Sequence, residues 1–464
     1  MGLVNLTSIL ILVIATGGGL VGYFFLRDGE LPTLPDENWG LVSSQELLDG
    51  SIRNFAINIS EQVLQDLKAR LILEVKTFDE RVEPSMAGTG FHYGINSKFL
   101  KNVLDHWLHK YDWRKREKVI NKWPGFKTRI SGLDIYFRHI KPTKETTPKK
   151  KVLPLLLLHG WPGSFVEHQK IIEFLVEGKN SDFRFELIIP SYPGFPFSEG
   201  SKKPGMGATD VSLILLKLMK RLGHEQFYVQ GGDWGSIIGS NMATLFHENV
   251  LGLHMTMCHT FHPRSLFKFI VAHIFPTWLM DEDEVAQHSP LFYKWPIINM
   301  VRETGYMHLH ATKPDTLGVA LSNSPGGHAA YFLERYSWWT NQTWIDLEDG
   351  GINSAFDLDE LLDNIMVYWV GKSITTSMRM YRETSNLLTS HYFAVERVAV
   401  KVPVSCINLA GEPYTQPKFS LVEKFPRLRY TKWKTGGHFN PLQIPDVVAK
   451  DVIEAINFMH KTYT

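Results

Sequence analysis

Cysteine is nearly absent from this chain of 464 residues: only Cys258 and Cys406 occur. Two are too few for a disulfide framework or for a zinc site of several cysteines, and so low a count suits a reducing compartment. An excess of charge is lacking too. Forty-nine Lys and Arg face 48 Asp and Glu, a formal net charge of +1, so the basic surplus that general nucleic-acid binding needs is missing. There is no repeat of fixed period, and no Gly-x-Ser-x-Gly closes any strand-like run. Apolar sequence, by contrast, is plentiful. The chain is 44% hydrophobic and 12% aromatic with 21% charge, which excludes a mainly disordered polymer and supports a large core.

No charged side chain occurs from Leu3 to Phe25. At about 1.5 Å rise per residue, such a run crosses a bilayer core with some tilt. Residues 1–26 therefore read as a single transmembrane anchor. A cleaved signal peptide is the alternative, against which stands the missing basic n-region. Arg27 follows the run and no Lys or Arg precedes it, which favours a cytosolic body by the positive-inside rule. Residues 27–50 are a polar, proline-bearing tether.

Residues 51–148 form an N-terminal extension, with a capped amphipathic helix expected from Ser60 to Leu73. Then the pattern changes. Val152–Leu158, Phe185–Ile189, Phe227–Val229 and Val402–Ile407 are short apolar runs, and the first three lead into glycine-bearing turns. A helix is expected from Ala208 to Leu222 and another from Ile237 to Phe246. Short apolar strands alternating with helices imply a parallel sheet covered on both faces, with chemistry at the carboxyl ends of its strands. This is an α/β architecture whose core comprises 149–260 and 396–464. Between them, 261–395 is helical and aromatic-rich, and reads as a lid.

Gly231-Gly232-Asp233-Trp234-Gly235 lies between a buried strand and a small-residue helix. That is the nucleophile-elbow pattern Gly-x-Nuc-x-Gly, with aspartate in the place where serine is commoner. An aspartate before a helix also reads as an ordinary cap. His438 follows Gly436-Gly437 late in the chain, one of 19 histidines, in the order nucleophile, acid, histidine. An acid must orient its imidazole. Glu412, just beyond the last apolar strand, is the first candidate and Glu423 the rival. His159-Gly160-Trp161-Pro162-Gly163 closes the first core strand. The backbone N–H groups of Trp161 and Trp234 are placed to form an oxyanion hole.

With these motifs in this order, the chain resembles the microsomal epoxide hydrolases over nearly its whole length. The resemblance rests on Phe126-Lys127-Thr128, Gly132-Leu133-Asp134-Ile135, His159 to Ser164, Gly232 to Ser236, Gly305-Tyr306-Met307-His308 with Thr312-Lys313-Pro314-Asp315-Thr316, and Gly436 to Phe439. It implies an α/β-hydrolase fold and hydrolysis of lipophilic epoxides to vicinal diols through an aspartyl ester. Asp233 would be the nucleophile, His438 the general base and Glu412 its charge partner. Tyr306 and Tyr381, otherwise ordinary among 16 tyrosines, would be the proton donors to the epoxide oxygen. The family usually writes Phe-Pro-x-Glu before its acid, whereas this chain has Ala410-Gly411-Glu412. The resemblance further implies that the partners are an epoxide and water, that no metal or organic cofactor is needed, and that the membrane is the endoplasmic reticulum's. Juvenile hormone or its acid and xenobiotic epoxides are both open as substrates. A haloalkane dehalogenase shares the Asp-His logic but needs no pair of tyrosine acids. A silent hydrophobic carrier would have no use for Asp233 or His438.

Overall fold

The computed structural model describes residues 29–41, 49–142, 150–178, 181–282, 285, 301–386, 390–414 and 416–463. The expected anchor, 1–26, lies outside the described residues. Among those described, no helix is long and apolar enough to cross a membrane.

Nine strands are described: β1 Ile52–Asn54, β2 Gly125–Ile130, β3 Leu133–Ile140, β4 Lys151–Leu158, β5 Phe183–Pro190, β6 Phe227–Gly231, β7 Val250–Met255, β8 Val404–Gly411 and β9 Leu428–Gly437. They form one sheet in the order β1-β2-β3-β5-β4-β6-β7-β8-β9. From β5 to β9 all neighbours are parallel. β1, β2 and β3 add an antiparallel edge. The apolar runs are the parallel strands. Leu155 to Leu158 are wholly buried, which is why their sequence shows no alternation. The apolar pattern also anticipated a strand at 402–407, which begins two residues later and runs to Gly411. β7 and the edge strands β1 and β2 were not anticipated. β1 is only three exposed residues, and β2 pairs residue for residue with β3, so both take their conformation from a neighbour.

The longer helices are α1 Glu61–Lys76, α2 Ser97–His109, α3 Trp113–Ile120, α4 Ile171–Glu177, α5 Ala208–Arg221, α6 Trp234–Leu245, α7 Pro263–Ile274, α8 Gly305–Thr312, α9 Pro314–Asn323, α10 Pro325–Trp338, α11 Leu358–Val370, α12 Ile374–Thr384 and α13 Pro445–Tyr463. α7 to α12 all fall between β7 and β8, so the sheet is interrupted there by helical sequence. The N-terminal helices fasten onto that segment. Glu74 of α1 accepts hydrogen bonds from Ser324 Oγ (2.7 Å) and Gly326 N (2.6 Å) at the start of α10. That supplies an acceptor to amides with no intrahelical partner. Arg116 of α3 pairs with buried Asp363 of α11 at 2.6 Å, and Tyr111 donates to the same carboxylate at 2.8 Å.

The two cysteines bear on the reading that their low count suits a reducing compartment. Cys258 and Cys406 are joined as a disulfide, with Cα atoms 6.0 Å apart. The cause is sheet register: Met255 of β7 stands beside Cys406 of β8, and three residues of turn bring Cys258 back to it. Proximity of this kind cannot be read from a separation of 148 residues. Denatured, unreduced protein should therefore take up no thiol-alkylating reagent, and two equivalents after reduction. Cys258→Ser with Cys406→Ser should lower stability in urea melts by about 2–4 kcal/mol. Two reactive thiols before reduction would refute the cross-link.

Candidate active site

The chain leaves β6 by a turn that a side chain rarely tolerates. Asp233 adopts φ 50°, ψ −124°, a conformation that is costly for a non-glycine residue and is retained only where the surroundings impose it. Here they do. α6 starts at the next residue and passes so close to β4 that a Cβ on Gly235 would collide with the Leu158 carbonyl. Ser236 Oγ donates back to the Gly231 carbonyl at 2.9 Å. The result lifts the Asp233 carboxylate above the carboxyl end of the sheet.

Three elements meet it there. From the turn after β4, the Trp161 amide donates to Asp233 Oδ1 at 2.7 Å. From the end of β9, His438 Nε2 lies 3.5 Å from Asp233 Oδ2. From the end of β8, Glu412 Oε2 accepts from His438 Nδ1 at 2.8 Å. Glu412 is buried and its other oxygen accepts the Tyr414 amide at 3.0 Å. The rival Glu423 is paired with Lys268 instead, at 2.5 Å. Trp234 heads α6, where its amide has no intrahelical acceptor, and its ring packs edge-on to Tyr381 with centroids 4.7 Å apart. The sequence-predicted residues Asp233, His438, Glu412, Trp161 and Trp234 thus converge on one point.

Charge couples them. Burial alone would lower the His438 pKa, but the carboxylates of Glu412 and Asp233 outweigh it and raise it to about 10. The imidazolium therefore stabilises the fold fully below pH 6.5, its ordinary value, and that contribution fades as pH rises through about 10. His159, in the same turn as Trp161, behaves oppositely. Burial lowers its pKa to about 4, and it stacks on Tyr192 at 4.2 Å, whose hydroxyl donates to the His159 carbonyl at 2.7 Å. It is a neutral support for the turn.

The helical segment between β7 and β8 closes the site from above. Tyr306 lies on α8 and Tyr381 on α12, both buried, with ring centroids 6.0 Å apart. The Tyr381 hydroxyl has no hydrogen-bond partner among the described residues. Burial, followed by neighbouring phenols and the Asp233 charge, pushes Tyr306 well above the ordinary tyrosine range; burial and then Asp233 do the same to Tyr381. Both remain protonated at neutral pH. The Trp161 indole, which sequence reasoning left without a role, stacks on Tyr306 at 5.5 Å and contacts Tyr381 edge-on at 5.9 Å. Its Nε1 donates to Ser377 Oγ on α12 at 3.3 Å. Asn364 of α11 takes a hydrogen bond from Ser164 Oγ (2.7 Å) and donates to the Pro162 carbonyl (2.6 Å), tying the same turn to the helices above.

A cavity of about 210 Å³ opens between Asp233 and the two tyrosines. Its remaining walls are mostly apolar, with Trp234, Ile237, Met257, Phe261, Leu266 and Phe269 among them. Tyr414 and Gln416 also reach it and were missed by sequence reasoning; they follow Glu412 in a loop whose pattern gives no sign of a pocket. Of the aromatic lid residues, Phe269 faces the cavity, Phe332 and Trp339 are core, and Phe275 and Trp278 are exposed.

A carboxylate on a strained elbow, with an amide at one oxygen and a Glu-oriented histidine at the other, defines an α/β-hydrolase equipped for ester chemistry on its own side chain. Family models agree: "Epoxide hydrolase N terminus" matches residues 52–168 and "alpha/beta hydrolase fold" residues 154–398. The chain is 42% identical to juvenile hormone epoxide hydrolase 2 of Ctenocephalides felis, covering 97% of this chain and 95% of that one. It is 38% identical to epoxide hydrolase 1 of Oryctolagus cuniculus, covering 97% and 99%. The crystal structure of juvenile hormone epoxide hydrolase from Bombyx mori superimposes with TM-score 0.86 at 39% identity, covering 92% of this chain and 99% of that one. The chain belongs to the microsomal epoxide hydrolase family, and is an enzyme that hydrolyses epoxides to diols.

The charge coupling has a direct test. Asp233→Asn removes one of the two charges that raise His438, so its imidazole pKa should fall by roughly one unit or more, read by NMR titration of the ring. An unchanged value would separate the two groups electrostatically.

Proposed function

We propose that this enzyme opens lipophilic epoxides with Asp233 as nucleophile, and that juvenile hormone or its acid is among its substrates. The observation that carries the mechanism is the position of Asp233, which has an amide on Oδ1 and the two protonated phenols across an apolar cavity. Oδ2 attacks an epoxide carbon. A carboxylate is ionised at neutral pH and needs no base for this step. The departing oxygen is a poor leaving group unless it is protonated or strongly hydrogen-bonded, and Tyr306 and Tyr381 supply both.

The resulting ester has no charge on Asp233. One of the causes that hold the proton on His438 is thereby removed; that proton replaces the one the tyrosine gave to the departing oxygen, and the neutral imidazole can act as base toward water. Glu412 keeps Nδ1–H oriented and stabilises the imidazolium that forms. Attack on the Asp233 carbonyl carbon places the oxyanion on the Trp161 amide, with the Trp234 amide completing the hole. Release gives the diol. Neither a metal nor an organic cofactor enters these steps.

Similarity to the juvenile hormone hydrolases of Ctenocephalides felis and Bombyx mori supports the terpenoid reading, and the apolar cavity suits it. The similarity to epoxide hydrolase 1 of Oryctolagus cuniculus, whose name is not tied to the hormone, keeps a xenobiotic role as the second reading. For attachment, residues 1–26 are proposed to anchor the body to the endoplasmic reticulum membrane. Arg27 favours a cytosolic body, whereas the Cys258–Cys406 bond would persist better on the lumenal side. Protease protection in sealed microsomes separates the two.

Single turnover in ¹⁸O-water with enzyme in excess should label the protein and not the first diol; label in that diol would mean direct attack by water on the epoxide. Tyr306→Phe or Tyr381→Phe should each slow alkylation by about 10²–10³, the double variant nearly abolishing it, while a preformed ester hydrolyses at close to the normal rate. Wild-type alkylation in either single variant would reduce that tyrosine to packing. Comparing kcat/KM for a juvenile hormone with those for cis- and trans-stilbene oxide decides the substrate. A preference for the stilbene oxides would displace the hormone reading.

A further inference from the structure

A second, much smaller cavity adjoins the first. It measures about 10 Å³, close to the space one water molecule requires. Asp233, His438 and Glu167 line it, with Gly160, Gly163 and Thr256. Asp233 alone borders both cavities. The two spaces differ in character: the larger is walled chiefly by apolar side chains and by the tyrosines, while the smaller has three ionisable groups in contact with it. The carboxylate therefore stands as a partition between an apolar chamber and a polar one.

Glu167 is the unexplained member. It lies in the short turn Phe165–His168 after β4, which is capped by Ser164 accepting the Val166 amide. From there its side chain reaches back to the turn after β4, so close to the main chain that a Cβ on Gly163 would collide with the carboxyl group. Glycine at 163 makes the room that this side chain occupies. Glu167 has no charged partner of structural kind among the described residues. The nearest ring nitrogen, His168 Nε2, is 3.8 Å away and uncharged, because burial and then the neighbouring His159 and Arg138 lower its pKa to about 3. A buried carboxyl group beside another carboxylate is expensive to keep. Burial and the Asp233 charge indeed raise its pKa to about 8, with only His438 and the Gly160 amide pulling the other way.

We propose that Glu167 seats the hydrolytic water, holding it against His438 on the side of Asp233 away from the substrate cavity. This rests on the assignment of Asp233 and His438 in the reading above. The small cavity offers a water the two to four polar partners it needs: His438 Nε2 as proton acceptor and the Glu167 carboxyl group as the second anchor. Once Asp233 is esterified, the water oxygen bonds to its carbonyl carbon and one proton passes to His438 Nε2. Collapse of the adduct breaks the bond to the substrate oxygen, which takes that proton and leaves as the diol. The second hydrogen of the water, held toward Glu167 during attack, stays with the regenerated Asp233 carboxyl group, which then ionises and returns that proton to His438 Nε2, restoring the resting imidazolium. Substrate and water thus reach the same residue by separate routes. A bulky diol ester in the apolar chamber does not obstruct the attack, and the chamber itself need not admit water while the epoxide is present. Because Glu167 meets the water only, its loss should touch one half-reaction and spare the other.

The test separates those halves. Alkylation and ester hydrolysis are timed in single-turnover mixing, with the ester followed by intact-protein mass. Glu167→Met keeps the length and removes the polar atoms. It should slow ester hydrolysis by about 10–100-fold, leave alkylation within about threefold, and let the ester accumulate. Glu167→Gln keeps a donor and an acceptor in place and should recover most of the hydrolysis rate. Unchanged hydrolysis in Glu167→Met would overturn the proposal. Equal slowing of both steps would do so too, since it would signal a packing role. Should Glu167→Met fail to fold, Glu167→Leu takes its place: a ratio of hydrolysis to alkylation at the wild-type value counts against the water seat, and a selective fall of about tenfold or more supports it. If the wild-type enzyme forms no ester at all, the assignment of Asp233 fails instead, and the two failures are distinct.

Discussion

The backbone turn at Asp233 is the constraint on which the rest of the structure depends. A non-glycine residue at φ 50° is not stable by itself; β4 and α6 must press together to enforce it. Their closeness is bought with glycine at 235, since any side chain there would strike Leu158. That single turn aims one carboxylate out of the sheet. It also sets the distances at which the ends of β4, β8 and β9 can deliver an amide, an acid and an imidazole.

The turn after β4 is the second fixed point, and it is held from both sides. From below, the Trp161 amide meets Asp233. From above, Asn364 and Tyr368 bond to the carbonyls of Pro162 and Gly163 at 2.6 Å each, and the Trp161 indole lies against Tyr306 and Tyr381. One tryptophan therefore registers the helical segment over the sheet. The N-terminal helices steady that segment in turn, through Glu74 at α10 and Arg116 at α11. The phenols are placed by this chain of contacts and not by their own helices alone. An error of an ångström at such positions is costly for chemistry.

Charge distribution complements the geometry. His438 is held as an imidazolium by two carboxylates while Asp233 is free, which keeps an otherwise expensive buried cluster nearly balanced. Forming the ester deletes one of those charges. In the proposed mechanism, the event that ends the first half-reaction thus prepares the base for the second. The apolar chamber and the small polar cavity on either side of Asp233 fit this alternation.

Much of this was legible from the residues. Apolar runs at 152–158, 185–189 and 227–229 identify buried parallel strands because covering both faces leaves no room for alternation. The glycines of 231–235 and 436–437 mark the turns, and the order aspartate, glutamate, histidine follows from chain topology. Expected helices at 60–73, 208–222 and 237–246 correspond to Glu61–Lys76, Ala208–Arg221 and Trp234–Leu245. β1 and β2 were not legible, because edge strands borrow their conformation from a partner. Nor was the Cys258–Cys406 bond, which arises from strand register across 148 residues. Tyr306 and Tyr381 carried no signal in their local sequence apart from family resemblance. Glu412 could be preferred to Glu423 but not separated from it until one was found on the imidazole and the other on Lys268. Sequence by itself determined the strands, the turns and the residue types of the chemistry, because these depend on local pattern. Only the tertiary structure decided which carboxylate serves which partner, since contacts such as Glu412 with His438, 26 positions apart, lie beyond any local pattern and are a property of the packed fold.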